Sequence, residues 1–320
     1  MRRFRRRLPG ARGIVPLQSG PRNVQFNFLT FGIPVTVRAF LLVCTLIFAA
    51  GCTTAPRIQA VANPAAPPRI ALALGGGAAR GFAHVGVIKA LEAQGIRPDI
   101  IVGSSAGSLV GALYAGGYSG YELQRLALAM NDTTISDWSL PDRGVIKGEA
   151  LQNYVNSTLS HRPIEKLMKT LAIVVTDLQS GEEVVFRTGD TGMAVRASSS
   201  VPGLFQPVRI NGRDYVDGAL VSPVPVRVAR SLGADIVIAV DISSRPQFAA
   251  TASAVDVLLQ AVNIMSQRIA SHELPQADFV IRPNVDGIGE ADFQAKHRAI
   301  LEGERAAAAI LPGLVARVRR

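Results

Sequence analysis

The chain is short of the residues that mark disulfide-stapled or metal-bound proteins. Only two cysteines occur in 320 residues. Both Cys44 and Cys52 lie near the start, so the rest of the chain can form no disulfide in any redox compartment. The four histidines include no H-x-x-x-H spacing and no Cys/His cluster, and there is no calcium-loop pattern. The sequence therefore offers no metal set and calls for no cofactor. Long hydrophobic runs are missing too: Ala39 to Ala50 is the strongest, at 12 residues, against the roughly 18–20 needed to span a bilayer. Residues 1–52 lack any acidic side chain but hold eight arginines, so the formal charge of +10 is concentrated there. The remainder balances 26 basic against 24 acidic side chains, which leaves no electrostatic footprint for nucleic acid. No internal repeat or coiled coil is visible.

What is present divides the chain into five parts. Residues 1–37 are too long and arginine-rich for a leader and read as an upstream extension or a misassigned start, with Val35 or Val37 as alternative starts. Residues 38–52 join Arg38, the apolar run and Ala49-Ala50-Gly51 to Cys52, the pattern of a secretion signal. The small-small-Gly-Cys ending resembles the bacterial lipobox, with Ala49 standing where leucine is usual. That resemblance implies lipidation of Cys52, and Thr53 after it implies an outer-membrane destination facing the periplasm or cell surface. Residues 53–68, rich in Ala, Pro and Thr, read as a tether. Residues 69–245 are the expected catalytic domain and residues 246–320 a C-terminal helical cover. Together the last two are long enough for a well-buried α/β domain.

Arg69 to Leu74 is a short apolar run that ends in the loop Gly75-Gly76-Gly77-Ala78-Ala79-Arg80-Gly81, and a helical pattern follows. Such a strand–loop–helix presents backbone N–H groups to an anion, either a dinucleotide phosphate or a tetrahedral oxyanion. A dinucleotide fold calls for an acidic residue at the end of the second strand. Here Asp99 precedes that strand, which ends instead in Gly103-x-Ser105-x-Gly107. This is the pattern of a nucleophile elbow, in which a sharp strand-to-helix turn lifts the middle side chain clear. A β-carbon at Gly103 or Gly107 would crowd that turn. The oxyanion reading of the upstream loop is therefore preferred.

Further along, Leu171–Thr176 and Glu182–Arg187 read as a hairpin. Val208–Ile210 and Asp214–Val216, joined through Asn211-Gly212, form a second. The second hairpin delivers Asp217-Gly218-Ala219, where the carboxylate could hold its own turn or act as a base. The glycine-rich loop, the serine elbow and this Asp-Gly-Ala triplet, in that order, resemble the patatin-like phospholipases across about residues 69–245. Gly76, Gly77 and Ala78 fall on the family's three loop glycines, followed by Arg80 and Gly81; Ala78 departs from the pattern. The resemblance implies a three-layer α/β fold with a mostly parallel sheet flanked by helices. It also implies that Asp217 activates Ser105 while the loop amides hold the oxyanion.

The expected function is thus a serine lipid acyl hydrolase acting on carboxylic esters at a membrane surface. The alternatives are an esterase or thioesterase on soluble acyl substrates, or a catalytically silent lipid-binding lipoprotein. Oligomeric state is not legible. Such a dyad needs Asp217 desolvated to raise its basicity. Chain order alone leaves a triad open, because His272 and His297 follow Asp217; both read as surface residues, and His84 as a satisfied, partly buried one. Ser198-Ser199-Ser200 reads as the end of a helix leading into a loop at the site, with no elbow to make it a second nucleophile.

Overall fold

The computed structural model describes residues 67–130, 137, 146–243 and 252–319. The expected leader, Cys52, most of the expected tether and the Trp138 region lie outside them. From Ala65 to Arg320 the chain forms one compact unit.

Its centre is a sheet built on strands β1 (Ile70–Leu74) and β2 (Ile100–Ser104). Every residue of both strands is buried, as expected of parallel strands covered on both faces. Next to β2 lies β3 (Thr170–Asp177), and next to β1 lies β7 (Ile236–Val240), then β8 (Phe279–Ile281). These five are parallel throughout. At β3 the direction changes: β4 (Glu183–Phe186) and β6 (Arg213–Asp217) both pair with it antiparallel, and β5 (Val208–Ile210) pairs with β6. Both hairpins read from the sequence are therefore present.

Side chains alternate between two separate cores, the period-2 consequence of the pleat. Ile70, Leu72 and Leu74 point into one, Ala71 and Ala73 into the other. The first core is closed by helices α1 (Phe82–Ala93), α2 (Ala106–Ala115), α3 (Gly120–Ala129), α4 (Glu149–Thr158) and α5 (Thr191–Ser198). The second is closed by α6 (Val226–Ser231) and the inner face of α7 (Ala254–Glu273). The three-layer α/β architecture is thus a direct result of strands that are apolar on both sides.

The C-terminal helix α8 (Lys296–Val318) lies on α1 at backbone distance. A Cβ on Gly86 would sit 1.9 Å from the Ile300 carbonyl oxygen, and one on Gly303 would sit 2.0 Å from that of Ala83. Only glycine fits either place. The sequence pattern suggests that this helix spans 291–311 and stops before Pro312, whose ring and missing N–H disfavour continuation. It instead starts later and runs through Pro312, with fully buried Leu314 in the turn beyond. The C-terminal region also adds β8 to the sheet beside β7. Among the described residues no helix is long and apolar enough to cross a membrane.

Candidate active site

The site lies where β1, β2 and β6 end. Leaving β2, the chain turns at Ser105 with φ 52° and ψ −125°, and α2 begins at the next residue. Left-handed backbone is rare and strained for a side chain of this kind, so the neighbours must hold it. Ser108 donates from both its amide and its hydroxyl to the Ser105 carbonyl, at 2.8 and 2.6 Å. The glycines on either side allow the close fold-back. A Cβ on Gly103 would meet the Gly107 carbonyl oxygen at 2.5 Å, and one on Gly107 would meet that of Leu74 at 2.1 Å.

Asp217 ends β6 on the neighbouring side. Its amide donates to the Ser200 carbonyl and its own carbonyl accepts from Thr176 Oγ1. The carboxylate takes two hydrogen bonds: from Ser105 Oγ to Oδ2 at 2.6 Å and from the Ala219 amide to Oδ1 at 2.8 Å. Gly218 permits this approach, since a Cβ there would lie 2.2 Å from the Val174 carbonyl oxygen. Asp217 is 3% exposed and Ser105 8%. Burial pushes the Asp217 carboxyl up from 3.8 to about 6, outweighing the two hydrogen bonds that favour the anion. The serine is therefore joined to a carboxylate of increased basicity.

The glycine-rich loop faces this pair. A Cβ on Gly76 would touch Ser105 Cβ at 3.1 Å and Ala219 Cβ at 3.2 Å. Its amide, however, donates to the Pro223 carbonyl, which removes Gly76 from the expected oxyanion donors. The Arg80 amide is likewise spent on Gly77 O. The Arg80 guanidinium, buried, donates to the same carbonyl at 3.1 Å and pairs with Glu290 at 3.4 Å. Arg80 therefore fixes the loop rather than reaching over it. Gly81 lets the short 3₁₀ turn Ala78–Gly81 press on α2, where a Cβ would lie 2.9 Å from Ala106 Cβ. The amides of Gly77 and Ala78 have no partner among the described residues. Ala78 is exposed and adopts φ 50°, a conformation that explains why glycine is usual there and that alanine holds under strain.

Two residues central to the site were not identified as such from the sequence. His84 is completely buried rather than partly so, and its Nε2 lies 2.8 Å from the Gly75 carbonyl. A carbonyl only accepts, so Nε2 carries the proton. Burial lowers the imidazole to about 4, leaving it neutral near pH 7, and Nδ1 has no partner among the described residues. Ser198, also fully buried, accepts from the Ser105 amide at 2.9 Å and donates to the Val174 carbonyl at 2.6 Å. The serine-rich block thus braces the elbow. Its only sequence signal was polar residues inside an apolar helix end. His272 and His297 are exposed, and neither has a hydrogen bond to the pair. No metal-holding group of His, Cys, Asp or Glu is found among the described residues.

This arrangement can be compared with known proteins. Residues 72–230 match the family profile described as patatin-like phospholipase. The fold of this domain is patatin-like. The patatin-like domain is 37% identical over 179 residues to an uncharacterized NTE family protein of Mycobacterium tuberculosis, covering 55% of this chain and 49% of that one. It is 34% identical over 186 residues to patatin-like phospholipase domain-containing protein 6 of Homo sapiens, covering 56% of this chain and 14% of that protein. The chain thus spans about half the length of the mycobacterial relative and far less of the human one. Among solved structures, VipD from Legionella pneumophila superposes with a TM-score of 0.51 at 16% identity, over 78% of this chain and 67% of that one. That likeness is one of fold.

Proposed function

We propose that the chain is a serine lipid acyl hydrolase that cleaves carboxylic esters through a Ser105–Asp217 dyad. The hydrogen bond from Ser105 Oγ to the buried Asp217 carboxylate carries this reading. Ser105 Oγ attacks the acyl carbonyl carbon and its proton passes to Asp217 Oδ2. The carbonyl π electrons move onto oxygen, and the free amides of Gly77 and Ala78 face that oxyanion, aided by the N-terminus of α2. The tetrahedral adduct collapses, and the departing alkoxide takes the proton from Asp217. Water then adds to the acyl-enzyme with Asp217 again as base, and Ser105 leaves reprotonated. None of these steps requires a histidine. The likeness of residues 72–230 to patatin-like phospholipases supports a lipid ester as substrate over a soluble acyl compound.

Covalent labelling by a fluorophosphonate probe tests the nucleophile. The wild-type chain should label at Ser105, and Ser105→Ala should neither label nor hydrolyse esters while still folding. Full hydrolysis by Ser105→Ala or Asp217→Asn would end the dyad reading. The proposal extends to place: Cys52 carries a lipid anchor at the cell envelope. Cys52→Ala should then shift the protein from the membrane fraction to the soluble one, and an unchanged distribution would count against the anchor.

A further inference from the structure

Helix α7 is apolar on both of its faces. Its inner face is fastened to the site: Ser266 Oγ donates to the Ala219 carbonyl at 3.1 Å, and Ala270 is buried in the second core. The outer face of such a helix is ordinarily polar. Here Val257, Leu258, Ile264 and Met265 are 53%, 42%, 46% and 52% exposed. Of the eight large hydrophobic side chains exposed among the described residues, half lie on this helix. With Ala261 between them, their spacing forms one stripe along three turns. Single exposed apolar residues need no explanation, but a contiguous stripe does.

Charge and position narrow what could cover it. From Val257 to His272 the helix holds no acidic residue, and Arg268 continues the stripe one turn beyond Ile264. An apolar stripe closed by a cation suits a lipid surface, with side chains among the acyl chains and the guanidinium at headgroup phosphates. The same helix adjoins the site through Ser266 on the carbonyl of Ala219, two residues from Asp217, and Leu258 reaches the loop after α5, where a Cβ on Gly203 would lie 2.8 Å from Leu258 Cδ2. A surface that covers the stripe therefore meets the rim of the site.

We propose that Val257, Leu258, Ile264 and Met265, with Arg268, form the face by which the protein docks on an anionic lipid surface beside Ser105. This rests on reading the site as a lipid acyl hydrolase. Because another part of the chain could hold it on vesicles, the test reads this face locally. In the full-length chain, Met265→Trp adds an indole whose emission is read above that of Trp138 in the unsubstituted chain. On vesicles of equal parts phosphatidylcholine and phosphatidylglycerol, brominated acyl chains should quench the added emission. Leu258→Gln, Ile264→Gln and Met265→Gln combined should lower vesicle hydrolysis at least about tenfold and leave turnover of a water-soluble short-chain ester unchanged. The proposal is overturned if the vesicle-associated protein shows no quenching. It is also overturned if the wild-type chain sediments as a dimer that the glutamines dissociate, which would make the stripe a contact between copies. Quenching by a wild-type-like chain that cleaves no ester would uphold the docking face and refute the hydrolase reading instead.

Discussion

Replacing Asp217 with asparagine should abolish hydrolysis and make the protein more stable. The carboxyl is held at about 6 against 3.8 for an ordinary aspartate, chiefly by burial. A raised carboxyl pKa means that the folded state prefers the protonated form. Stability is therefore full below the unfolded value and falls as pH rises through the folded one. Above about pH 7 the cost of keeping the anion buried is about 3 kcal/mol, from the difference between the two values. Asparagine removes the charge and can keep both contacts, with Oδ1 accepting from Ala219 N and Nδ2 donating to Ser105 Oγ. At about pH 8 the Asn variant should melt about 6–12 °C higher than wild type, taking about 2–4 °C per kcal/mol for a domain of this size. The gap should roughly halve by about pH 5 and shrink to about a fifth by about pH 4, closing below the unfolded value. Thermal melts followed by circular dichroism across this range read it directly. A variant less stable than wild type at high pH, or a gap independent of pH, would refute the argument from desolvation.

The same carboxyl sets a pH dependence of rate. Asp217 must be ionised to accept the Ser105 proton, so kcat/KM should rise with pH through about 6 and then level off; an acid limb near pH 4 would contradict the burial argument. Ser198→Ala removes the acceptor for the Ser105 amide and the donor to Val174 O. It should cost about 1–3 kcal/mol of stability and lower kcat more than it raises KM, as steady-state kinetics on a soluble ester would show. Gly86→Ala or Gly303→Ala places a methyl group inside the van der Waals radius of a facing carbonyl. Either should cost about 3 kcal/mol or more in chemical denaturation, with little effect on the active-site pKa.

The parts of this structure written in local pattern were readable from the sequence. Continuous apolar runs gave the buried strands, Asn211-Gly212 gave the hairpin that ends at Asp217, and the spacing of Gly103, Ser105 and Gly107 gave the elbow. Long-range hydrogen bonds were not readable. Gly76 looks like an amide donor until its N–H is seen on the Pro223 carbonyl, far along the chain. Ser198 looks like a surplus hydroxyl until it is found between Ser105 and Val174. Residues 246–320 were readable as helical cover, but apolar residues on both sides of helix α7 hid which face packs inward. Pro312 suggested a helix end by its own chemistry, and the packing of Leu314 overrode it.

Several unfavourable features meet at the rim of this sheet. Ser105 and Ala78 hold left-handed backbone, Asp217 is buried as an acid whose function requires charge, and His84 Nδ1 is buried without a partner among the described residues. Strained dihedrals and buried unpaired groups each cost on the order of 1–3 kcal/mol, so together they rival a domain's net stability. They persist because what surrounds them cannot relax. Strands β1 and β2 are buried along their whole length, and the glycines bring backbone against backbone at Gly103, Gly107 and Gly218. The side-chain hydrogen bonds of Ser108, Ser198 and Thr176, and one of those from Arg80, end on main-chain atoms of the site. Ser105 is therefore locked against the parallel core, and the loop that carries Ala78 is tied down by Arg80 and by the Gly76 amide on Pro223 O. That arrangement keeps Ser105 Oγ on Asp217 and the Gly77 and Ala78 amides free before any substrate arrives, the preorganisation on which oxyanion stabilisation depends.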